Sequence, residues 1–195
     1  MQEQFSSVET TEEHNGYTYS VWEALTIVIV GSFCGLRNSS QIHQWASNDR
    51  IKAFLAEHFG ISEVPCYYWL ICLIKLVKPE SFNKHFINWV QTLLPGGTLE
   101  GYTLSLDGKT VRSTGKKKSY TSPLHIVSAH IAELGITFGQ QTVYDKSNEI
   151  PAVRELLNLL KIEGCMVVAD ALNCQKETAK TIIEGKADYL LDVEM

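Results

Sequence analysis

The chain has 195 residues, 45% of them hydrophobic and 20% charged, which suits one large domain or two small ones and excludes wholesale disorder. Twenty-two acids against 17 bases leave a net charge of -5; this excludes a generally basic nucleic-acid coat protein but not a local basic patch. The most apolar run, residues 24–36, is short of the roughly 20 residues that a membrane span needs, and the acids Glu3, Glu9, Glu12 and Glu13 ahead of it do not suit a signal peptide.

Five cysteines (Cys34, Cys66, Cys72, Cys165 and Cys174) form no C-x-x-C pair and no metal-ligand spacing. Such a scattered, odd set reads as reduced, buried thiols in a cytoplasmic protein.

In chain order, residues 1–19 begin with polar, aperiodic sequence and read as a loose N-terminal tail. Ser20 can cap a helix through residues 21–33, with Gly35 as its stop. Short helices are predicted over 39–48 and 50–59, the second with Ile51, Phe54, Leu55, His58 and Phe59 on one face. Residues 67–77 are apolar except for Lys75, and Pro79 opens a further helix. There Phe82, Phe86, Trp89, Val90 and Leu93 recur at helical spacing, which reads as core and not as a base-stacking surface. Residues 20–95 thus form a helical unit. The breaker Pro95-Gly96-Gly97-Thr98 separates it from a second unit, 101–195.

The second unit has a different rhythm. Residues 102–106 alternate as a strand and stop at Asp107-Gly108, a turn-like pair. Residues 124–132 and 136–144 read as a hairpin about Leu134-Gly135. Asn148 can cap a helix over 149–160, with Pro151 in its first turn. Residues 165–169 read as a strand buried on both faces. Asn173 can cap a helix over 174–184, Gly185 stops it, and 187–193 form a last strand. The order β-β-β-α-β-α-β makes the class α/β, and the helical crossovers predict parallel pairing for the two later strands.

Two acids stand where such a sheet builds sites, at the carboxyl ends of strands: Asp107 after the first and Asp170 after the buried one. Mg²⁺ takes few carboxylates and completes its shell with water or phosphate oxygens. Paired ions of this kind can activate an attacking oxygen and steady the leaving one. Alone, Asp107 reads equally as a turn residue and Asp170 as a loop cap. Lys109, Arg112, Lys116, Lys117 and Lys118 add five bases without an acid in residues 109–118. That patch suits a phosphate backbone beside a metal site, against the plainer reading of a solvated loop. His125 and His130 are five apart on a strand and point to opposite faces, which disfavours a shared metal. Cys174 reads as a packed thiol at a helix start.

The run Leu106-Asp107-Gly108-Lys109-Thr110-Val111-Arg112, followed by His125-Ile126-Val127-Ser128-Ala129, resembles the start of the catalytic domain of H-repeat-associated insertion-sequence transposases. Residues 145–151, 170–176 and 187–191 are similar to the family's next blocks, and the helical half, with Trp89-Val90-Gln91, to its associated N-terminal domain. The resemblance implies a partial RNase H-like fold and a DDE mechanism. Carboxylates holding Mg²⁺, with Mn²⁺ as the alternative, would direct DNA strand cleavage and strand transfer. Asp107 would be the first acid and Asp170 the second. The family's third acid, a Glu on a later helix, has no counterpart in residues 1–195. Residues 192–195 depart from the family's usual continuation, and Cys66-Tyr67-Tyr68-Trp69 stands where many members carry a Ser-His-Asp-Thr run.

The expected function is therefore a DDE transposase in a C-terminally truncated, inactive copy that binds transposon ends and target DNA, with a second copy of itself as a further partner. Without the later helix, Leu190, Leu191 or Val193 should lie exposed on one sheet face. The alternative is a non-catalytic DNA-binding or dimerising remnant. A third reading is a stand-alone metal-dependent nuclease or phosphatase using Asp107 and Asp170.

Overall fold

A computed structural model describes residues 1–12, 18–111, 124–143 and 149–192. The chain divides into two compact units, Met1–Trp89 and Val90–Met195. The division falls a few residues before the Pro-Gly-Gly breaker expected to mark it.

The first unit is helical: α1 (Gln2–Phe5), α2 (Val21–Phe33), α3 (Ser39–Ala46), α4 (Asp49–Phe59), α5 (Tyr67–Leu76) and the greater part of α6 (Pro79–Leu93). Ser20 begins α2 as expected, its N–H and its hydroxyl both donating to Glu23 Oε2 at 2.8 Å. Ala24, Leu25, Ile27 and Ile29 of α2 are buried, so the most apolar run is a core helix. On the predicted face of α4 only Leu55 is fully buried, while Phe54 remains exposed. The α6 rings do enter the core, Phe82 stacking on Phe5 and Trp89 meeting it edge-on.

The expectation of a loose tail is corrected. Phe5 and Val8 are buried with α2 and α5 residues, and Thr10 bridges Val77. Two apolar residues suffice to anchor an otherwise polar segment, and a periodicity test over residues 1–16 does not register them.

The second unit holds β1 (Thr103–Val111), β2 (Leu124–Ile131), β3 (Ile136–Val143), α7 (Glu149–Leu159), β4 (Met166–Ala169), α8 (Lys176–Glu184) and β5 (Asp188–Leu191). One five-stranded sheet runs in the order β3-β2-β1-β4-β5. The first three strands are antiparallel, whereas β4 pairs β1 and β5 in parallel. This is the expected α/β order, and it fits an RNase H-like arrangement. The strictly alternating burial of β2 shows a sheet with one packed face. Leu104, Leu106, Val127, Ala129, Phe138 and Val167 are buried on it, and α7 packs against β2 and β3.

Three local readings differ from the structure. β1 does not stop before Asp107-Gly108 but continues to Val111, because residues 104–111 all find partners in β2. β4 is not buried on both faces: Met166 is 39% exposed. Asn173 does not cap the following helix. It lies buried in a short 3₁₀ turn (Ala171–Asn173), and Gln175 caps α8. Asn148, the expected cap of α7, lies outside the described residues, as do Val193 and residues 145–148 of the family-like run.

The cysteines are corrected too. Only Cys165 is buried, Cys72 is half-buried, and Cys34, Cys66 and Cys174 are exposed. Among the described residues no helix is long and apolar enough to cross a membrane.

Candidate functional site

β1 and β4 run side by side with Thr103 opposite Met166, Leu104 opposite Val167 and Ser105 opposite Val168. The pairing ends there, and each aspartate lies two residues further along, Asp107 within β1 and Asp170 just after β4. Asp107 shares its face with Ser105, and Asp170 with Val168, since side chains alternate along a strand. This is the face away from buried Leu104, Leu106, Val167 and Ala169. Both aspartates are exposed. Asp107 is thus a mid-strand residue, and the expected turn at this point is corrected.

Asp170 is fixed by its own turn. Its Oδ1 accepts from the Asn173 backbone N–H at 3.3 Å and from Asn173 Nδ2 at 2.8 Å. Both bonds end on one oxygen. Among the described residues Oδ2 has no hydrogen bond, and the Asp107 carboxylate has neither hydrogen bond nor ion pair. Exposed carboxylate oxygens are the kind of ligand that a hard cation takes. No group of three His, Cys, Asp or Glu side chains able to hold a metal occurs among the described residues.

Lys109 is exposed and two residues beyond Asp107, hence on the same face. Arg112, Lys116, Lys117 and Lys118 lie outside the described residues. Ser128 is the cross-strand partner of Asp107. Leu190 of the edge strand β5 is 65% exposed, and Leu191 is half-buried.

On the covered face lies a feature that spacing alone did not single out. His125 Nε2 meets Glu149 Oε2 at 2.8 Å, and His125 Nδ1 meets Thr110 Oγ1 at 2.8 Å. His125 and His130 do take opposite faces, the first buried and the second half-buried. The sequence signal for the pair was the placement of an acid at a helix start, where the helix dipole favours it. Its partner, 24 residues earlier, was not recoverable from local pattern.

The comparisons with known proteins agree across both units. The family described as DDE_Tnp_1-associated matches residues 2–90, and the transposase DDE domain matches residues 99–194. "Putative transposase YncI" of Escherichia coli K12 is 41% identical over 63% of this chain and 48% of its own length. "H repeat-associated putative transposase YhhI" of the same strain is 32% identical over 67% of this chain and 34% of its own. An uncharacterised protein of Xanthobacter autotrophicus, from the dhlA 3′ region, is 36% identical over 89% of this chain and 58% of its own. A solved piggyBac transposase synaptic complex with hairpin DNA is similar at a TM-score of 0.41 and 10% identity, over 94% of this chain and 45% of that one. The chain spans about half, or less, of the length of the E. coli relatives quoted. With the two family domains in order along nearly its whole length, the chain belongs to the DDE transposase family that includes the H repeat-associated transposases.

Proposed function

We propose that this chain carries the first two acids of a DDE transposase site, Asp107 and Asp170, and that it acts on DNA. The observation that supports this best is the parallel β1–β4 pairing, which ends at Ser105 opposite Val168, two residues short of each exposed aspartate along its own stretch of chain. Mg²⁺, or Mn²⁺ in its place, would be held between the two carboxylates. When bound, such an ion supplies Lewis-acid stabilisation of phosphate oxygens and activation of an attacking hydroxyl.

The protein's own groups have narrower tasks. Asn173 orients Asp170 by holding one carboxylate oxygen. Lys109, on the face of Asp107, together with Arg112 and Lys116–Lys118 in the adjoining segment, would contact the DNA backbone and give salt-sensitive, sequence-independent affinity. Among the described residues no cluster of three His, Cys, Asp or Glu side chains able to hold a metal includes either aspartate. Complete strand transfer by this chain is accordingly expected to be very weak, while metal and DNA binding persist.

The test is nicking and strand transfer on a labelled element end with Mg²⁺ or Mn²⁺, comparing this chain with Asp107→Asn and Asp170→Asn. Weak activity abolished by either substitution supports the pair. Activity that survives both substitutions rejects it. A second reading, a non-catalytic DNA-binding or dimerising protein, is favoured by the exposed Leu190 and Tyr189 of the edge strand β5. It is the reading that stands if DNA binds, no strand is cut, and neither aspartate affects metal affinity.

A further inference from the structure

β1 is supported unevenly. Its pairing with β2 runs from Leu104 to Val111, but its pairing with β4 ends at Ser105. At Asp107 the strand is therefore hydrogen-bonded along one edge only. Support from behind comes from Glu149, the first residue of α7. A Cβ on Gly108 would overlap Glu149 Oε1 and would lie 2.7 Å from its Cδ and 3.0 Å from Oε2. The carboxylate thus rests directly on the backbone of the residue that follows Asp107.

Glu149 is itself fixed. Its side chain is 6% exposed and that of His125 is 7% exposed. An ionised carboxylate only accepts, so His125 Nε2 carries a hydrogen and donates it to Glu149. In a neutral ring Nδ1 then accepts from the Thr110 hydroxyl. This arrangement leaves no polar atom of the imidazole unpaired. A buried carboxylate lacking such a partner would be strongly disfavoured. Thr110 and His125 are cross-strand partners, so the relay ties β1, β2 and α7 together behind Asp107.

We propose that Glu149, held by His125, is a positioning residue that bears on the β1 backbone at Gly108 and so sets the height of Asp107 opposite Asp170. The link to metal binding rests on the reading of those two aspartates given above. The clamp on the backbone does not.

Two measurements on the full chain test it: Mn²⁺ binding by electron paramagnetic resonance, and metal-free hydrogen exchange of the Asp107 and Lys109 amides, on the β1 edge paired with β2, by NMR. Glu149→Ala and Gly108→Ala are each expected to weaken Mn²⁺ binding by roughly tenfold or more, as loss of an outer-sphere support does. Exchange at residues 107 and 109 should quicken while Val127 and Phe138 keep their protection, because the opening is local. Glu149→Gln keeps the bulk over Gly108 and an acceptor for His125, and should return both readouts towards those of the unaltered protein. Phe138→Leu, which loosens the same sheet away from the relay, should lower the melting temperature without changing Mn²⁺ affinity. Should the alanine variants not fold, Glu149→Asp, withdrawn by one methylene, decides: faster exchange at 107 and 109 supports the clamp.

Unchanged exchange at those two amides in a folded variant overturns the proposal. So does equal loss of Mn²⁺ affinity in Phe138→Leu and Glu149→Ala, since a general staple would behave that way. Absence of Mn²⁺ binding by the unaltered chain rejects the metal reading instead, and the exchange measurement still decides the clamp.

Discussion

Asn173 Nδ2 donates to Asp170 Oδ1 at 2.8 Å, so the second acid of the candidate site is held by a residue three positions later in the same turn. The Asn173 side chain is buried, and its own Oδ1 has no hydrogen-bond partner among the described residues. Replacement by alanine removes the donor to Asp170. Asn173→Ala should cost about 1 kcal/mol of stability, the usual net worth of such a bond, and should lower Mn²⁺ affinity by freeing the Asp170 carboxylate. Asn173→Asp should be worse on stability, because it buries a second carboxylate against Asp170. Thermal unfolding and Mn²⁺ titration of both variants check the order.

Thr178 carries the complementary defect. Among the described residues its hydroxyl, buried in α8, has no hydrogen-bond partner. Valine keeps the branched shape and removes the unsatisfied group. Thr178→Val should therefore be neutral or stabilising by up to about 1 kcal/mol, measured as an upward shift of the urea midpoint with unchanged slope. A clear loss of stability would show that the hydroxyl has a partner after all.

The thiols should separate by environment. Burial pushes the Cys165 thiol up to about 11, with the nearby Asp188 charge adding in the same direction. Below that pH it stays protonated and is a poor nucleophile. At pH 8, Cys34, Cys66 and Cys174 should react rapidly with a thiol reagent, whereas Cys165 should react only on unfolding. Mass spectrometry of the labelled peptides resolves the two groups.

The N-terminal segment should be held in a pH-dependent way. A hydrogen bond and the charge of Lys78 hold the Glu9 carboxyl below its ordinary value, with Lys78 Nζ 2.8 Å from Glu9 Oε2. A depressed carboxyl stabilises the folded state above its unfolded pKa, and the effect is lost as pH falls through the folded value. The protection factor of the Lys78 amide, which donates to Glu9 O, taken relative to its intrinsic exchange rate at each pH, should fall as the pH drops below the ordinary carboxyl value of 4.5 in the unaltered protein. Glu9→Gln should show the lower protection already at neutral pH and no further change. High salt should shrink the difference, because the pair is exposed.

Much of this molecule was legible locally. The capping acid Glu23 stands three residues beyond Ser20, and a helix begins there. The alternation of residues 124–131 gives a strand with one packed face. Failures had local causes as well. Asp-Gly is turn-like in isolation, yet cross-strand partners keep 107–111 extended and Gly108 makes room for Glu149. Phe5 and Val8 were too few to raise a periodic signal, but each is buried.

The sequence by itself determined the two-unit plan, the order of strands and helices, the parallel sense of the later strands and the identity of the two aspartates as the acids to watch. These follow from short-range spacing, from the chirality of crossovers and from family-like motifs. Only the tertiary structure decided which residues meet across long separations: His125 with Glu149, Gly108 with Glu149, Thr10 with Val77. Those contacts depend on strand register and on where a helix lands on a sheet, which packing of the whole unit sets and no local window contains.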